Sequence, residues 1–465
     1  MRHIVRNIFA VALLASVGTI TAQDFNSSYF INDYKYRHDL NPAFDNEQSY
    51  ISMPAIGNLT VTMQGNFGLD GVLFKNPNPG AAKKTVTFMH PDISWSQVKG
   101  SLKDNNKLST NLDVTILSVG FKGFGGYNTI ELNSRTFVGM QLPLGLFELA
   151  KNTGNRRYDF SDLGFRVQSY GELAFGHSHQ INEKLRIGAK MKVLLGLARA
   201  DVEMNNVEAD LTSNNQWTVS GQAKANLKVK GLTLKEEEKE YNNKPGSYKY
   251  VNDVDVDGAG INGFGLGLDL GATYKVAESM TLSAALTDIG FISWSNNIQA
   301  SNHQQTFTFN GFHDISVKEE RDPNTLDKQS DDYADQLADF ANLQNDGDQG
   351  GETNALAATA RLGAEYVLPA YKPLSFGLLL QHRFDGAFSW SEGRLSANYA
   401  PVKWLNGGVN IAVNSFTTSA GWVLNIHPKV LNFFIGMDHI LGKTTKEMIP
   451  LSSNASLNFG MNIAF

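Results

Sequence analysis

Side chains able to do chemistry are sparsely placed in this 465-residue sequence, and cysteine is absent altogether. That excludes disulfide scaffolds, thiolate metal sites, a cysteine nucleophile and an anchor that needs an acylated cysteine. No Ser/His/Asp set or paired-carboxylate pattern stands out, so the chain does not read as an enzyme, and no cofactor is expected. Asp253, Asp255, Asp257 and Gly258 match the first half of a calcium loop, in which alternate carboxylates converge and glycine permits a sharp turn. The twelfth position, which calls for a bidentate glutamate, is Phe264. A solvated acidic loop, continuous with Glu236, Glu237, Glu238 and Glu240, is therefore the default, and a weak calcium site the alternative. His177 and His179 flank Ser178 without a third ligand in reach. Gly263, Gly265 and Gly267 suggest a phosphate cradle, but no helix or suitably spaced lysine follows, and apolar alternation runs on to Tyr274. What remains is a set of charges two or four residues apart: Arg186, Lys190 and Lys192, with Glu172 upstream and Arg135, Arg361 and Glu365 further off.

The elements that carry these charges alternate with period two. Leu185, Ile187, Ala189, Met191, Val193, Leu195 and Leu197 share one face, opposite Arg186, Gly188, Lys190 and Lys192. A dry core would charge several kcal/mol, on the order of 2–7, for each unpaired polar group on the second face, so that face meets water or partners. The pattern recurs in Phe264 to Ala272 against Gly265, Gly267, Asp269 and Gly271, in Leu374 to Leu380, in Ile130 to Leu142, and in Ala455 to Phe465. Strands this long exceed the roughly five or six residues usual in globular sheets and match the roughly 9 to 11 that cross a bilayer at a tilt. The expectation is an all-β, antiparallel transmembrane barrel. Its register predicts that Leu195→Arg impairs insertion and that Lys192→Leu is tolerated.

Short turns are expected at 123–126, 179–184, 276–279, 369–373, 400–403 and 427–430. Longer polar connections alternate with them at 70–110, 143–167, 203–261, 295–354, 384–393 and 439–453, with a tight one near Asn414 to Phe416. Starting near Leu59, this gives about fourteen strands; twelve or sixteen are the alternatives, because 203–228 could add a hairpin to the wall. Within 326–345, Tyr333, Leu337 and Phe340 fall at helical spacing, which predicts a short loop helix, packed on the rim or acting as a lid.

Composition agrees with this class. The chain is 18% charged and 11% aromatic, with 43 glycines and a net charge of −6 that argues against nucleic acid as a partner. Arg2 and Arg6 precede an apolar run from Ile8 to Val17, and small residues lead to Ala22, which reads as a secretory signal peptide over residues 1–22. Its removal would take the net charge from −6 to −8. Three parts follow: the signal peptide, an N-terminal periplasmic or lumen-plug segment over 23–57, and a barrel over 58–465. Asp24, Asp33, Asp39 and Asp45 of the second part could meet the basic wall.

Asn41-Pro42-Ala43-Phe44 resembles the Asn-Pro-Ala opening of FadL-like and PorV-like outer-membrane barrels. Met53-Pro54, Gly57-Asn58-Leu59 and Thr287-Asp288-Ile289-Gly290-Phe291-Ile292-Ser293-Trp294 look like an uncharacterised barrel family of Bacteroidetes. The resemblance implies a fourteen-stranded barrel in the cell outer membrane without naming a ligand. Phe465 at the end of an alternating strand is similar to the signal read by the barrel assembly machinery. Expected partners are therefore that machinery, outer-membrane lipid, and either an amphipathic small molecule or secreted protein cargo. The first of these cargoes makes the chain a FadL-like transporter with a ligand at Arg186, Lys190, Lys192, Glu172 and Arg135; the second makes it a PorV-like accessory barrel. A structural barrel without cargo is the third reading.

Overall fold

The computed structural model describes residues 25–242, 244–316, 324–440 and 454–465. The signal peptide and Asp24 lie outside the described residues. The wall is built from β1 Asn58–Gly65, β2 Asn105–Gly123, β3 Gly126–Pro143, β4 Gly164–Gln180, β5 Leu185–Asp210, β6 Gly263–Ala277 and β7 Met280–Trp294. It continues through β8 Thr359–Val367, β9 Leu374–Arg383, β10 Trp390–Val402, β11 Leu405–Asn414, β12 Thr418–Ile426, β13 Leu431–Met437 and β14 Ala455–Ala464. Each strand pairs antiparallel with the next, and β14 returns to β1 with Leu59 opposite Phe459 and Thr62 opposite Ser456. The ring is closed, so no wall strand presents an unpaired edge along its whole length. Tyr50–Ser52 extends the line of β1, lying between Ala464 of β14 and Gly120 of β2.

The expected short turns and the described parts of the longer connections fall at opposite ends of this barrel, hereafter the turn end and the loop end; 317–323 and 441–453 of those connections lie outside the described residues. The tightest turn, Phe124–Gly125, has both residues at positive φ (54° and 74°), which suits the twist of a two-residue hairpin. The predicted alternation is the wall's inside–outside code. Met191 is 68% exposed on the outer face while Lys190 and Lys192 beside it are buried. Leu362, Leu395, Val409 and Ile411 are also exposed outward, and Asn398, Asn406, Asn410 and Asn425 are buried within. This is the inverse of a soluble protein and fits a membrane barrel. Leu195→Arg should therefore impair insertion, by about 2–4 kcal/mol at the membrane midplane. The measurement is the fraction of heat-modifiable protein after refolding into lipid; assembly equal to the parent's would mean that the outer face is misassigned.

Phe465 follows β14 at the turn end, 69% exposed, with its backbone N–H donating to Ser49 O at 2.9 Å. Phe465→Asp is expected to leave unassembled protein, because the last strand closes the ring; heat-modifiable migration of the variant would sink this.

Two stretches differ from expectation. Residues 203–228 form a hairpin, but it stands beyond the wall: the 26-residue β5 overshoots, and Trp217–Val229 returns along its outer half from Ala198 to Asp210. Only about 9–11 of those residues are needed to span, so the strand count stays at fourteen. Helix Leu326–Ala341, where the spacing predicts one, sits on this extension, with Tyr333 against Phe309 and Phe312. The connections 70–110 and 143–167 are not simply polar: helices Trp95–Ser101 and Leu144–Lys151 pack a small core of Ile93, Val98, Leu102 and Phe147. Ser94 and Gln97 cap the first helix reciprocally.

Candidate functional site in the barrel lumen

The N-terminal segment Phe25–Asn46 lies inside the ring and touches the inner faces of strands all round it. At one end Asp438 accepts from the backbone N–H groups of Asn26 (2.8 Å) and Ser27 (2.6 Å), and Arg394 Nη1 donates to Ser27 Oγ at 3.1 Å. Tyr29 OH meets Ser283 Oγ of β7 at 3.0 Å, and Tyr36 OH donates to Asn462 Oδ1 of β14 at 2.7 Å. Phe25, Ile31, Tyr34 and Tyr36 form an aromatic core with Tyr50, Tyr127 and Phe434. Facing it, a chain of buried asparagines runs from β11 to β14: Asn425 donates to Asn406, Asn432 to Asn425, and Asn462 to Asn432. Each amide thereby satisfies the next, which a buried polar face requires.

Asn41-Pro42-Ala43 is seated where the wall has no side chains. Gly188 of β5 and Gly271 of β6 are directly paired. A Cβ on Gly188 would lie 2.0 Å from Pro42 O and 2.2 Å from Pro42 C, and one on Gly271 would lie 2.0 Å from Asn41 Oδ1. The two glycines leave a notch for main chain, and Asn41 Nδ2 donates to Ala284 O at 3.2 Å beside it.

The candidate charges line the lumen, already engaged. Arg186 Nη2 lies 2.8 Å from Asp45 Oδ2. Lys190 Nζ reaches Asp39, Glu131 Oε2 at 2.7 Å and His38 Nδ1 at 3.1 Å. Lys192 Nζ lies 2.6 Å from Asp288, 2.9 Å from Asp269 and 3.8 Å from Glu172. Arg135 bridges Glu172 at 3.0 Å and Asp113 at 3.3 Å. Arg361 Nη1 donates to Thr287 Oγ1 at 2.9 Å, and Glu365 accepts from Ser375 Oγ at 3.1 Å. The anionic head group expected at Arg186 and Lys190 thus finds both cations held by the protein's own carboxylates. The expectation for Lys192→Leu reverses for the same reason: it strands Asp269 and Asp288 without their shared cation, while Glu172 keeps Arg135. Loss of one partner from a buried pair costs about 3–5 kcal/mol. A clear fall in the temperature of heat modification is expected, and a value equal to the parent's would contradict it.

A bulge brings Asp288 into this group. Thr287 and Asp288 are adjacent yet both buried, and Asp288 has φ 60°. Its N–H donates to Asp269 Oδ1 at 2.7 Å. A second irregularity, where Ser169 pairs with Ala198 and Tyr170 with Gly196, inserts Leu197 and turns Arg199 and Asp201 toward the lumen beyond it.

Between these bulges and the loop end lies a cavity of about 260 Å³. Arg135, Arg166, Arg199 and Arg383 line it together with Asp113, Asp288 and Asp385, and Phe137, Tyr170 and Leu356 complete its walls. Arg166, Arg199, Arg383 and Asp385 were not among the sequence candidates. The signal that could have found the second of them is the parity break at Leu197.

Metal ligation looks different from the sequence expectation. Asp253 and Asp255 lie on the extended strand Ser247–Val256, and Asp255 pairs with Lys235 at 2.8 Å, so the run is a hairpin rather than a curled loop. His177 contacts Asn128 Oδ1 at 2.9 Å and stacks on His179. Among the described residues the one grouping of three metal-ligating side chains is His38, Asp39 and Glu131, and the Lys190 ammonium contacts all three.

A family model described as a family of unknown function, DUF5723, matches residues 42–438, beginning within the seated Asn-Pro-Ala motif. The chain belongs to DUF5723. No curated protein matches this DUF5723 chain in sequence. Among solved structures it is similar to the toluene transporter TbuX of Ralstonia pickettii, at 10% identity and TM-score 0.42 over 96% of this chain and 95% of that one. The toluene transporter TodX of Pseudomonas putida is similar at 9% identity and TM-score 0.41, with coverage of 96% and 95%. A FadL homologue of Pseudomonas aeruginosa is similar at 10% identity and TM-score 0.39, again with 96% and 95% covered. FadL-like barrels are thus among the neighbours of this DUF5723 chain.

Proposed function

We propose that the chain is an outer-membrane barrel that passes small amphipathic molecules and is stoppered by its own N-terminal segment. The turn end is then periplasmic, as in bacterial barrels, and the loop end external. The observation that carries this reading is the order of parts along the lumen: Phe25–Asn46 fills the barrel toward the turn end, and a charged cavity lies above it toward the loop end. A barrel built only as a scaffold has no use for a hollow above its filling. The lining is ionic and amide-rich, which favours amphipathic over purely hydrophobic solutes, since apolar cargo would leave those groups unpaired.

The test is flux into proteoliposomes of membrane-impermeant amphipathic carboxylates, compared with protein-free vesicles. Uptake above the empty vesicles, rising when the N-terminal segment is displaced, is expected. No uptake in either state would remove the conduit and leave the accessory reading, which the folded extension around helix Leu326–Ala341 favours; a protein cargo would then copurify in gentle detergent.

A further inference from the structure

We infer that the cavity ringed by Arg135, Arg166, Arg199 and Arg383 is a binding site for a compact organic anion, a carboxylate or phosphate monoester of about ten non-hydrogen atoms; this rests on the conduit reading above.

The four arginines do not stand alike. Arg199 is spent: its Nε and Nη2 donate to Asp201 at 2.6 and 3.1 Å, and its Nη1 to Gln168. Arg135 is divided between Glu172 and Asp113. Arg166 uses Nε on Asp201 at 2.8 Å and Nη1 on Asp385 at 3.0 Å. Arg383 is the exception. Among the described residues its one charged contact is through Nε, 3.7 Å from Asp385 Oδ2, and its two Nη groups make no hydrogen bond. A guanidinium fork is built to hold two oxygens of one carboxylate or phosphate. Arg383 lines the cavity, its fork is closed on no carboxylate within hydrogen-bond distance among the described residues, and Asp385 is already shared with Arg166.

Charge and size narrow the occupant. The cavity wall carries four arginines against three aspartates, and Asp201 and Glu172 behind it already answer Arg199 and Arg135, so the cation left for an anionic occupant is Arg383. At about 260 Å³ the cavity lies just under the roughly 300–1,000 Å³ usual for small-molecule pockets, which suits a compact occupant. One side is aromatic: Phe137 meets Phe388 edge to face at 5.3 Å, and Arg166 lies over the Phe388 ring at 5.6 Å. A short carbon skeleton would rest there while its anionic end reaches Arg383. The bulge at Leu197 and the strand end at Arg383 bring these groups together from β3, β4, β5 and β9.

The experiment is calorimetric titration of the whole detergent-solubilised chain with glutarate and with glycerol 3-phosphate, against the uncharged glutaramide and glycerol. Expected is binding of at least one anion and none of the neutral compounds. Arg383→Gln should weaken the anion at least tenfold, and Asp385→Asn, which removes the competing carboxylate, should tighten it; heat modification confirms that each variant is folded. The second variant keeps the test open if the first fails to assemble. Anions binding no better than their neutral counterparts, or equally to all three proteins, would overturn the site. Flux of the same compounds into proteoliposomes separates the two readings: binding without flux sustains the site and removes the conduit, whereas flux of neutral and anionic solutes alike without binding keeps the conduit and removes the site.

Discussion

Gly188→Val is expected to unseat the N-terminal segment and raise the conductance of the barrel in planar bilayers several-fold, while the wall stays assembled. The added Cβ would sit 2.0 Å from Pro42 O, 2.2 Å from Pro42 C and 2.5 Å from Ala43 N. All three are main-chain atoms, so no rotamer change relieves the clash, and overpacking of this kind typically costs about 1–3 kcal/mol or more. Valine suits a strand and changes no ladder hydrogen bond, and the wall pairs of Gly188 with Gly271 and Ser178 are main-chain contacts. The strain is therefore discharged by moving Asn41-Pro42-Ala43 out of its notch, with loss of the Asn41 bonds to Ala272 O and Ala284 O. Asp438 still holds the other end at Ser27, so Gly188→Val with Asp438→Ala should open the lumen further. A folded Gly188→Val barrel whose conductance matches the parent's would show that the segment does not limit passage.

That notch illustrates what a linear sequence gives up and what it keeps. Alternation is local, so the lipid face of β5 and the inward aim of Lys190 and Lys192 were legible, as were the turns and the count of fourteen. Partnership is not local. Lys190 meets Asp39 and Glu131, which lie 151 and 59 positions away, and nothing in the spacing of any one strand says which charges a closed ring sets opposite each other. Asp24, Asp33, Asp39 and Asp45 were expected to meet the basic wall, and among the described ones Asp39 and Asp45 do so, at Lys190 and Arg186. Asp33 instead lies 4.0 Å from Lys35 of its own segment. The arginine cavity was hidden for a different reason: one inserted residue at Leu197 inverts the parity, so Arg199 falls on the lipid face of the extrapolated pattern and on the lumen face of the strand. The outer half of β5 kept its period beyond the span, which is why the extension looked like wall.

The same cluster that holds Lys190 supplies the second expectation. Lys190→Ala should destabilise the barrel strongly and at the same time create a divalent metal site that the parent lacks. His38 Nδ1 lies 3.3 Å from Asp39 Oδ1 and 3.8 Å from Glu131 Oε2, and the ammonium contacts all three. Removing it leaves two buried carboxylates facing each other with no cation, a loss of about 3–5 kcal/mol. The geometry that results is one nitrogen and two oxygens converging on a vacated centre, which suits Zn²⁺ with bonds of about 2.0–2.2 Å after a small contraction. The supporting contacts are in place: His38 Nε2 meets Tyr50 OH at 2.8 Å, Tyr50 OH meets Ser118 Oγ at 2.8 Å, and Ser118 Oγ donates to Glu131 Oε1 at 3.0 Å. Partners of this kind fix the ring and carboxylate orientation that a metal needs. Zinc at 100 times its dissociation constant would return about 2.7 kcal/mol, most of the loss at the lower bound. Micromolar zinc should therefore raise the heat-modification temperature of Lys190→Ala, leave the parent unchanged, and have no effect on Lys190→Ala with His38→Ala. Equal responses of the two variants would place the metal elsewhere. Lys190→Ala as stable as the parent without zinc would mean that the ammonium is not what holds the N-terminal segment to the wall.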